Sequence, residues 1–110
     1  MKKKFIVKHN QDFEKIMANG SVKKNNSFVI YSLKNELSYD KYGISVSKKI
    51  GNAVTRNKFK RKMRSIIDNY KKNYLNGSDY IIILRRSATE KTFQELENDF
   101  FDLMKSIKKG

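Results

Sequence analysis

The chain has no cysteine, no proline and no tryptophan, and its single histidine is His9. Without cysteine there are no disulfides and no thiol chemistry. Without proline, and with its glycines standing singly, the chain shows no linker; it shows no internal repeat either. The 110 residues suit one compact domain, 1–110. One histidine excludes a two-histidine ribonuclease mechanism, and His9, in "KHN", reads as a solvated residue. Glu95, Asp99 and Asp102 recur at i, i+4 and i+7, as a solvated helix face would, and do not suggest a metal cluster. No nucleophile triad, metal-ligand spacing or glycine-rich phosphate loop is present. No apolar run approaches the roughly 20 residues of a membrane-spanning helix. The start, "MKKKFIVKHNQDFEKIM", lacks the apolar stretch of a secretory signal. A cytoplasmic protein with no membrane partner is expected.

Acidic residues are also missing from one long stretch. None occurs between Lys41 and Ile67, whereas five of the eleven fall between Glu90 and Asp102. The formal net charge is +14. Polyanions are the natural partners of such a chain, nucleic acid foremost. An evenly solvated basic protein would intersperse both signs, and this one does not.

The pattern predicts an α+β fold, a single small sheet with helices packed on it, in the order α-β-β-(β)-α-β-α. "NQDFEKIMANG" reads as a helix with Asn10 as cap, Phe13, Ile16 and Met17 on one face, and Gly20 as a left-handed stop. "NSFVIYSLK" alternates as a strand, with Phe28 and Ile30 on one face and Val29, Tyr31 and Leu33 on the other. A short extended piece near Ser21–Lys24 precedes it, and "YGISVS" follows as another strand. A long helix starts near Asn52, with Phe59, Met63, Ile66, Ile67, Tyr70 and Tyr74 as its apolar stripe, and stops at Gly77. "DYIIILR" reads as a central strand buried on both faces. The last helix opens on a capping box, Thr92 with Glu95, and buries Phe93, Leu96, Phe100, Leu103, Met104 and Ile107.

The acid-free stretch falls on the long helix and its entrance, "KKIGNAVTRNKFKRKMRSII", where Lys48 to Arg64 holds eight cations in seventeen residues. Like charges at i,i+4 weaken a helix. At 100° per residue Arg56, Lys60 and Arg64 form a row beside the apolar stripe, flanked by Asn57 and Arg61, while Lys58 and Lys62 point further round. A phosphate backbone would offset the repulsion. Arginine clamps phosphate bidentately, and Asn57 adds a neutral donor and acceptor. Lys48 and Lys49 extend the charge to the helix entrance. Single-stranded RNA also needs stacking platforms, and Tyr31 and Phe13 are candidates; on spacing alone core packing is an equal reading for Tyr31 and the better one for Phe13. A general RNA-binding protein and a membrane-surface protein are the competing classes; the second lacks the strongly apolar exposed face it would need.

These residues resemble a known family, the protein subunit of bacterial ribonuclease P. "SVSKKIGNAVTRNKFKRKMR" is similar to its signature, a basic helix built on an Arg-Asn-Arg core, with Lys58 standing at the third core position. "DFEKIM", "FVIYSL" and "DYIIILR" resemble its first helix, central strand and last strand. The resemblance implies a ribonucleoprotein that removes the 5′ leader of precursor tRNA, with RNA rather than DNA as partner. It implies that the RNA subunit holds the catalytic Mg²⁺ and that the protein alone is inactive. It implies that Lys48, Lys49, Arg56, Asn57, Lys58, Lys60, Arg61 and Arg64 dock on the RNA subunit, and that Phe13, Met17 and Tyr31 line a cleft for the leader. Met17 stands where the family often has a second aromatic. A left-handed βαβ crossover around the basic helix is implied too, against the usual hand.

Overall fold

A computed structural model describes residues 5–7, 10–71 and 77–109. Helix α1 (Asn10–Asn19) leads into strands β1 (Ser21–Lys24), β2 (Phe28–Lys34) and β3 (Lys41–Ser45). Helix α2 (Ala53–Lys71), strand β4 (Ser78–Leu84) and helix α3 (Phe93–Lys109) complete the chain. The strands form one mixed sheet in the order β1-β2-β4-β3, with β2 antiparallel to β1 and β4, and β3 parallel to β4. This is the expected α+β arrangement, and the extended piece at Ser21–Lys24 is a true strand.

The two faces of the sheet carry different layers. Phe28, Ile30, Tyr42, Tyr80, Ile82 and Leu84 point to one side, where α2 and α3 bury Phe59, Met63, Ile66, Ile67, Leu96, Phe100 and Met104 over them. Ile81 points to the other side, where α1 adds Ile16 and the N-terminal segment adds Val7. The apolar run of β4 is therefore buried on both faces, as a central strand requires. Tyr42 and Tyr80, register partners on β3 and β4, stack with centroids 5.4 Å apart. Burial, then the charge of Asp40, pushes the Tyr42 phenol up, so it stays neutral.

The hand of the β3–α2–β4 crossover follows from Tyr42. Its ring faces α2, and its carbonyl accepts the Val7 N–H at 3.0 Å on the edge away from β4. In an extended L-residue those two directions fix the third. With α2 in front and β3 running upward, β4 lies to the left. The crossover is left-handed, the rare hand for parallel strands.

Local chemistry sets the boundaries. Asn52 caps α2, its Oδ1 accepting the Thr55 N–H at 2.9 Å. The capping box of α3 is complete: the Thr92 N–H donates to Glu95 Oε1 at 3.0 Å, and the Glu95 N–H donates to Thr92 Oγ1 at 3.2 Å. The Thr92 N–H bond also holds the Glu95 carboxyl below its usual range. Gly77 has φ +69°, a left-handed conformation that glycine adopts freely. Tyr74 and the end of the long helix lie outside the described residues, as does His9.

Four expectations change. Asn10 is already helical in α1 rather than standing before it. Gly20 is not left-handed. Its N–H bonds Ile16 O at 2.8 Å, and a Cβ there would sit 2.5 Å from both Ile16 O and Ser32 O, so glycine is needed for the close approach of helix end and β2. Phe93 has the right helical angle but is 37% exposed, because the core begins one turn later at Leu96. Asp99 is not part of a solvated face. It accepts hydrogen bonds from Ser27 Oγ and, at 2.6 Å, from Lys91 Nζ, which ties the β1–β2 turn to α3. Burial raises its carboxyl, but the Lys91 and Ser27 hydrogen bonds and the Lys91 charge together outweigh that and hold it below its usual value.

Candidate nucleic-acid interface

Helix α2 buries one stripe and presents its cations on the rest. Phe59, Met63, Ile66, Ile67 and Tyr70 are buried. Arg56 and Lys60 are half-buried at the border, and Asn57, Lys58, Arg61 and Arg64 are exposed. Lys48 and Lys49 are exposed on a short 3-10 turn, Lys48–Ile50, that feeds the helix. Among the described residues none of these cations forms a salt bridge; the one ion pair on α2 joins Lys71 to Asp68 at 3.5 Å, at the far end. The charge of this face is thus uncompensated within the fold. The Arg56 Nε is buried without a hydrogen-bond partner.

Four of the cations line two hollows. Asn57, Lys58 and Arg61 surround Val54, which is 78% exposed. Lys60 and Arg64 line a second hollow with Ile6, Val7, Phe13, Tyr42 and Ile44, at the outer edge of β3. Lys58 therefore shares a site with Asn57 and Arg61, although its helical angle sets it further round. Lys62 instead turns back over the Phe59 ring, 5.1 Å from its centroid.

Phe13 belongs to both the second hollow and the cleft under α1. Its ring lies over Gly43, where a Cβ would come within 2.7 Å of Phe13 Cζ. On the opposite flank of α1, Lys15 and Asn19 line a depression with Leu33 and Asp79. Phe13 and Met17 face the other way, and Met17 is 42% exposed. Tyr31, half-buried on β2, packs with Phe13 against the Val7–Ile16–Ile81 cluster. The three cleft residues singled out by resemblance thus stand on one side of α1 and the adjoining sheet face. Val29 and Ile83, register partners on β2 and β4, continue the same floor half-buried.

Sequence reasoning missed Gly43, Ile83 and Val54, and it placed Val29 on the Tyr31 face by alternation without assigning it to the cleft. Val54 left a signal, as a lone apolar residue three and seven places before Asn57 and Arg61. Gly43 and Ile83 needed the strand register. Among the described residues no group of three or more His, Asp or Glu could hold a metal ion. No described helix is long and apolar enough to cross a membrane. The arrangement is a cationic face that meets, at the Phe13–Lys60–Arg64 hollow, a cleft with aromatic walls.

Known proteins share this plan. A family model described as Ribonuclease P matches residues 1–108. The ribonuclease P protein component of Streptococcus pneumoniae strain D39 is 40% identical over 108 residues, covering 98% of this chain and 88% of its own length. The ribonuclease P protein of Staphylococcus aureus superposes with TM-score 0.88 at 38% identity, covering 94% of this chain and 95% of that one. That of Thermotoga maritima gives TM-score 0.85 at 30% identity, covering 91% and 94%. The chain belongs to the ribonuclease P protein family, the protein components of an RNA-containing, tRNA-processing nuclease.

Proposed function

We propose that the chain docks on the RNA subunit of ribonuclease P through α2 and holds the single-stranded 5′ leader of precursor tRNA in the cleft between α1 and the sheet. The observation that carries this is the uncompensated cationic face meeting an aromatic cleft at a shared hollow. Arg56, Asn57, Lys58, Lys60, Arg61 and Arg64, with Lys48 and Lys49, supply phosphate contacts. Phe13, Tyr31 and Met17 supply stacking and apolar contacts to leader bases. The RNA subunit performs the cleavage and holds the catalytic Mg²⁺; among the described residues this chain offers no ligand set for it. The protein's share is differential binding: contacts to the leader favour precursor over mature tRNA, which has none. The complex works in the cytoplasm.

The test is the salt dependence of binding to the RNA subunit. Arg56→Ala, Arg61→Ala and Arg64→Ala should each weaken binding without unfolding the domain. Each should flatten the slope of log K against log salt by about 0.7–0.9 for every phosphate no longer neutralised. Unchanged slopes in all three would mean that the face is merely solvated.

A further inference from the structure

Strand register puts two residues of β1 on the sheet face that forms the cleft floor. Val22 stands opposite Tyr31, and Lys24 opposite Val29. Tyr31 stands opposite Ile81 and Val29 opposite Ile83. Gly43 and Ser45 complete the rows on β3. Directly paired residues share a face. Two rows therefore cross all four strands: Val22–Tyr31–Ile81–Gly43 and Lys24–Val29–Ile83–Ser45. Helix α1 covers the Ile81–Gly43 end of the first row with Ile16 and Phe13. It leaves Val22 52% exposed, Val29 and Ile83 half-buried and Lys24 exposed. At about 4.8 Å between strands the rows span about 14 Å, the reach of about two extended nucleotides.

The β1 end of this floor is basic and firmly held. Neither row contains an acid. The β1–β2 turn that follows Lys24 is tied down on three sides. Asn25 Nδ2 donates to Asp99 O at 3.0 Å, Arg85 Nη1 donates to Asn25 O at 2.8 Å, and Ser87 Oγ donates to Asn26 O. Lys24 is thus a cation on a fixed edge. That edge is the one farthest from β3, where the hollow of Lys60 and Arg64 lies.

We propose that β1 is the distal end of the leader track: Val22 packs on a leader base or ribose and Lys24 meets a leader phosphate, upstream of the nucleotides held by Phe13 and Tyr31. This rests on the cleft reading above. The leader leaves the α2 side at β3, crosses β4 and β2 beside α1, over the half-buried Ile83 and Val29, and exits over β1. Lysines on an edge strand also discourage sheet pairing between molecules, which is the alternative role for Lys24.

The holoenzyme, reconstituted with a ribonuclease P RNA subunit, separates the two. Affinity is measured for precursor tRNAs whose leaders lengthen one nucleotide at a time, with mature tRNA as reference. In the unmodified protein affinity should climb with leader length and level off once β1 is reached. Lys24→Ala and Val22→Ser should each remove the last increment, on the order of five-fold. They should leave short-leader affinity and the melting temperature unchanged. Lys24→Ala should also flatten the long-leader salt slope by about 0.7, and Lys24→Arg should restore it. Retention of the full length dependence in both variants, or self-association of Lys24→Ala as its only effect, overturns the proposal. Tyr31→Ala is run alongside. If it lowers the precursor-to-mature ratio while Lys24→Ala leaves the length dependence intact, the cleft stands and the β1 extension falls. If Tyr31→Ala leaves the ratio intact as well, both fall.

Discussion

Tyr31→Ala separates the two roles that its strand position allows. A fully buried large aromatic costs about 3–5 kcal/mol of stability when truncated. Tyr31 is only half-buried, at the margin of the smaller core cluster under α1. Removing about half as much buried surface should cost about 2 kcal/mol, which a domain of ordinary stability survives. Removing a base stack costs about 1–3 kcal/mol of binding, or roughly 5- to 150-fold in affinity. The assay pairs a thermal melt with dissociation constants of the reconstituted holoenzyme for precursor and mature tRNA. Precursor affinity should fall by that factor, mature tRNA affinity should hold, and assembly with the RNA subunit should survive. Tyr31→Phe keeps the ring and should keep most of the discrimination. A precursor-to-mature ratio at the unmodified value in a variant that melts early would refute the stacking role and leave Tyr31 as a packing residue.

Other outcomes follow from the same geometry. Gly43→Ala would place a Cβ 2.7 Å from Phe13 Cζ and 2.9 Å from Ile81 Cδ1, so the Phe13 ring must shift. It should lower leader discrimination and cost about 1–3 kcal/mol of stability, while RNA-subunit affinity holds; unaltered discrimination would remove Phe13 from the cleft. Asp99, whose carboxyl is held below its ordinary value by Lys91 and Ser27, contributes stability that is present above the unfolded value of about 3.9 and is lost as pH falls through the folded value. Melting temperatures of the unmodified protein and Asp99→Asn should therefore differ at neutral pH and converge below about pH 4. A gap of the same size at pH 3 would contradict the pin.

Legibility differed by element. The helices and central strand were readable because each carries a one-residue-resolution signal: Asn52 and the Thr92–Glu95 pair at caps, the 3–4 spacing from Phe59 to Tyr70, and the unbroken run Tyr80–Leu84. The row of Arg56, Lys60 and Arg64 was readable because helical angle decides it, whereas Lys58 joins Asn57 and Arg61 against its helical angle. What failed depended on partners far away in sequence. Gly20 looked like a helix stop of the left-handed kind, yet its reason is the Ser32 carbonyl on β2. Asp99 looked solvated because its partner Ser27 lies 72 residues earlier. The cleft floor of Val29, Ile83 and Gly43 is set by register between β2, β4 and β3, which no local pattern encodes. The hand of the crossover likewise needed the Val7–Tyr42 pairing at the sheet edge.

The most direct measurement mixes the purified protein with a bacterial ribonuclease P RNA subunit and a precursor tRNA at a low Mg²⁺ concentration, where the RNA alone is nearly silent, and follows release of the 5′ leader. The expected result is efficient cleavage only when both subunits are present, yielding mature tRNA with a 5′-phosphate, and none from the RNA-free protein. Leader release that is no faster with the protein than without it, under conditions where the two bind, would contradict the proposed role; so would cleavage by the RNA-free protein that disappears when one of its own side chains is replaced.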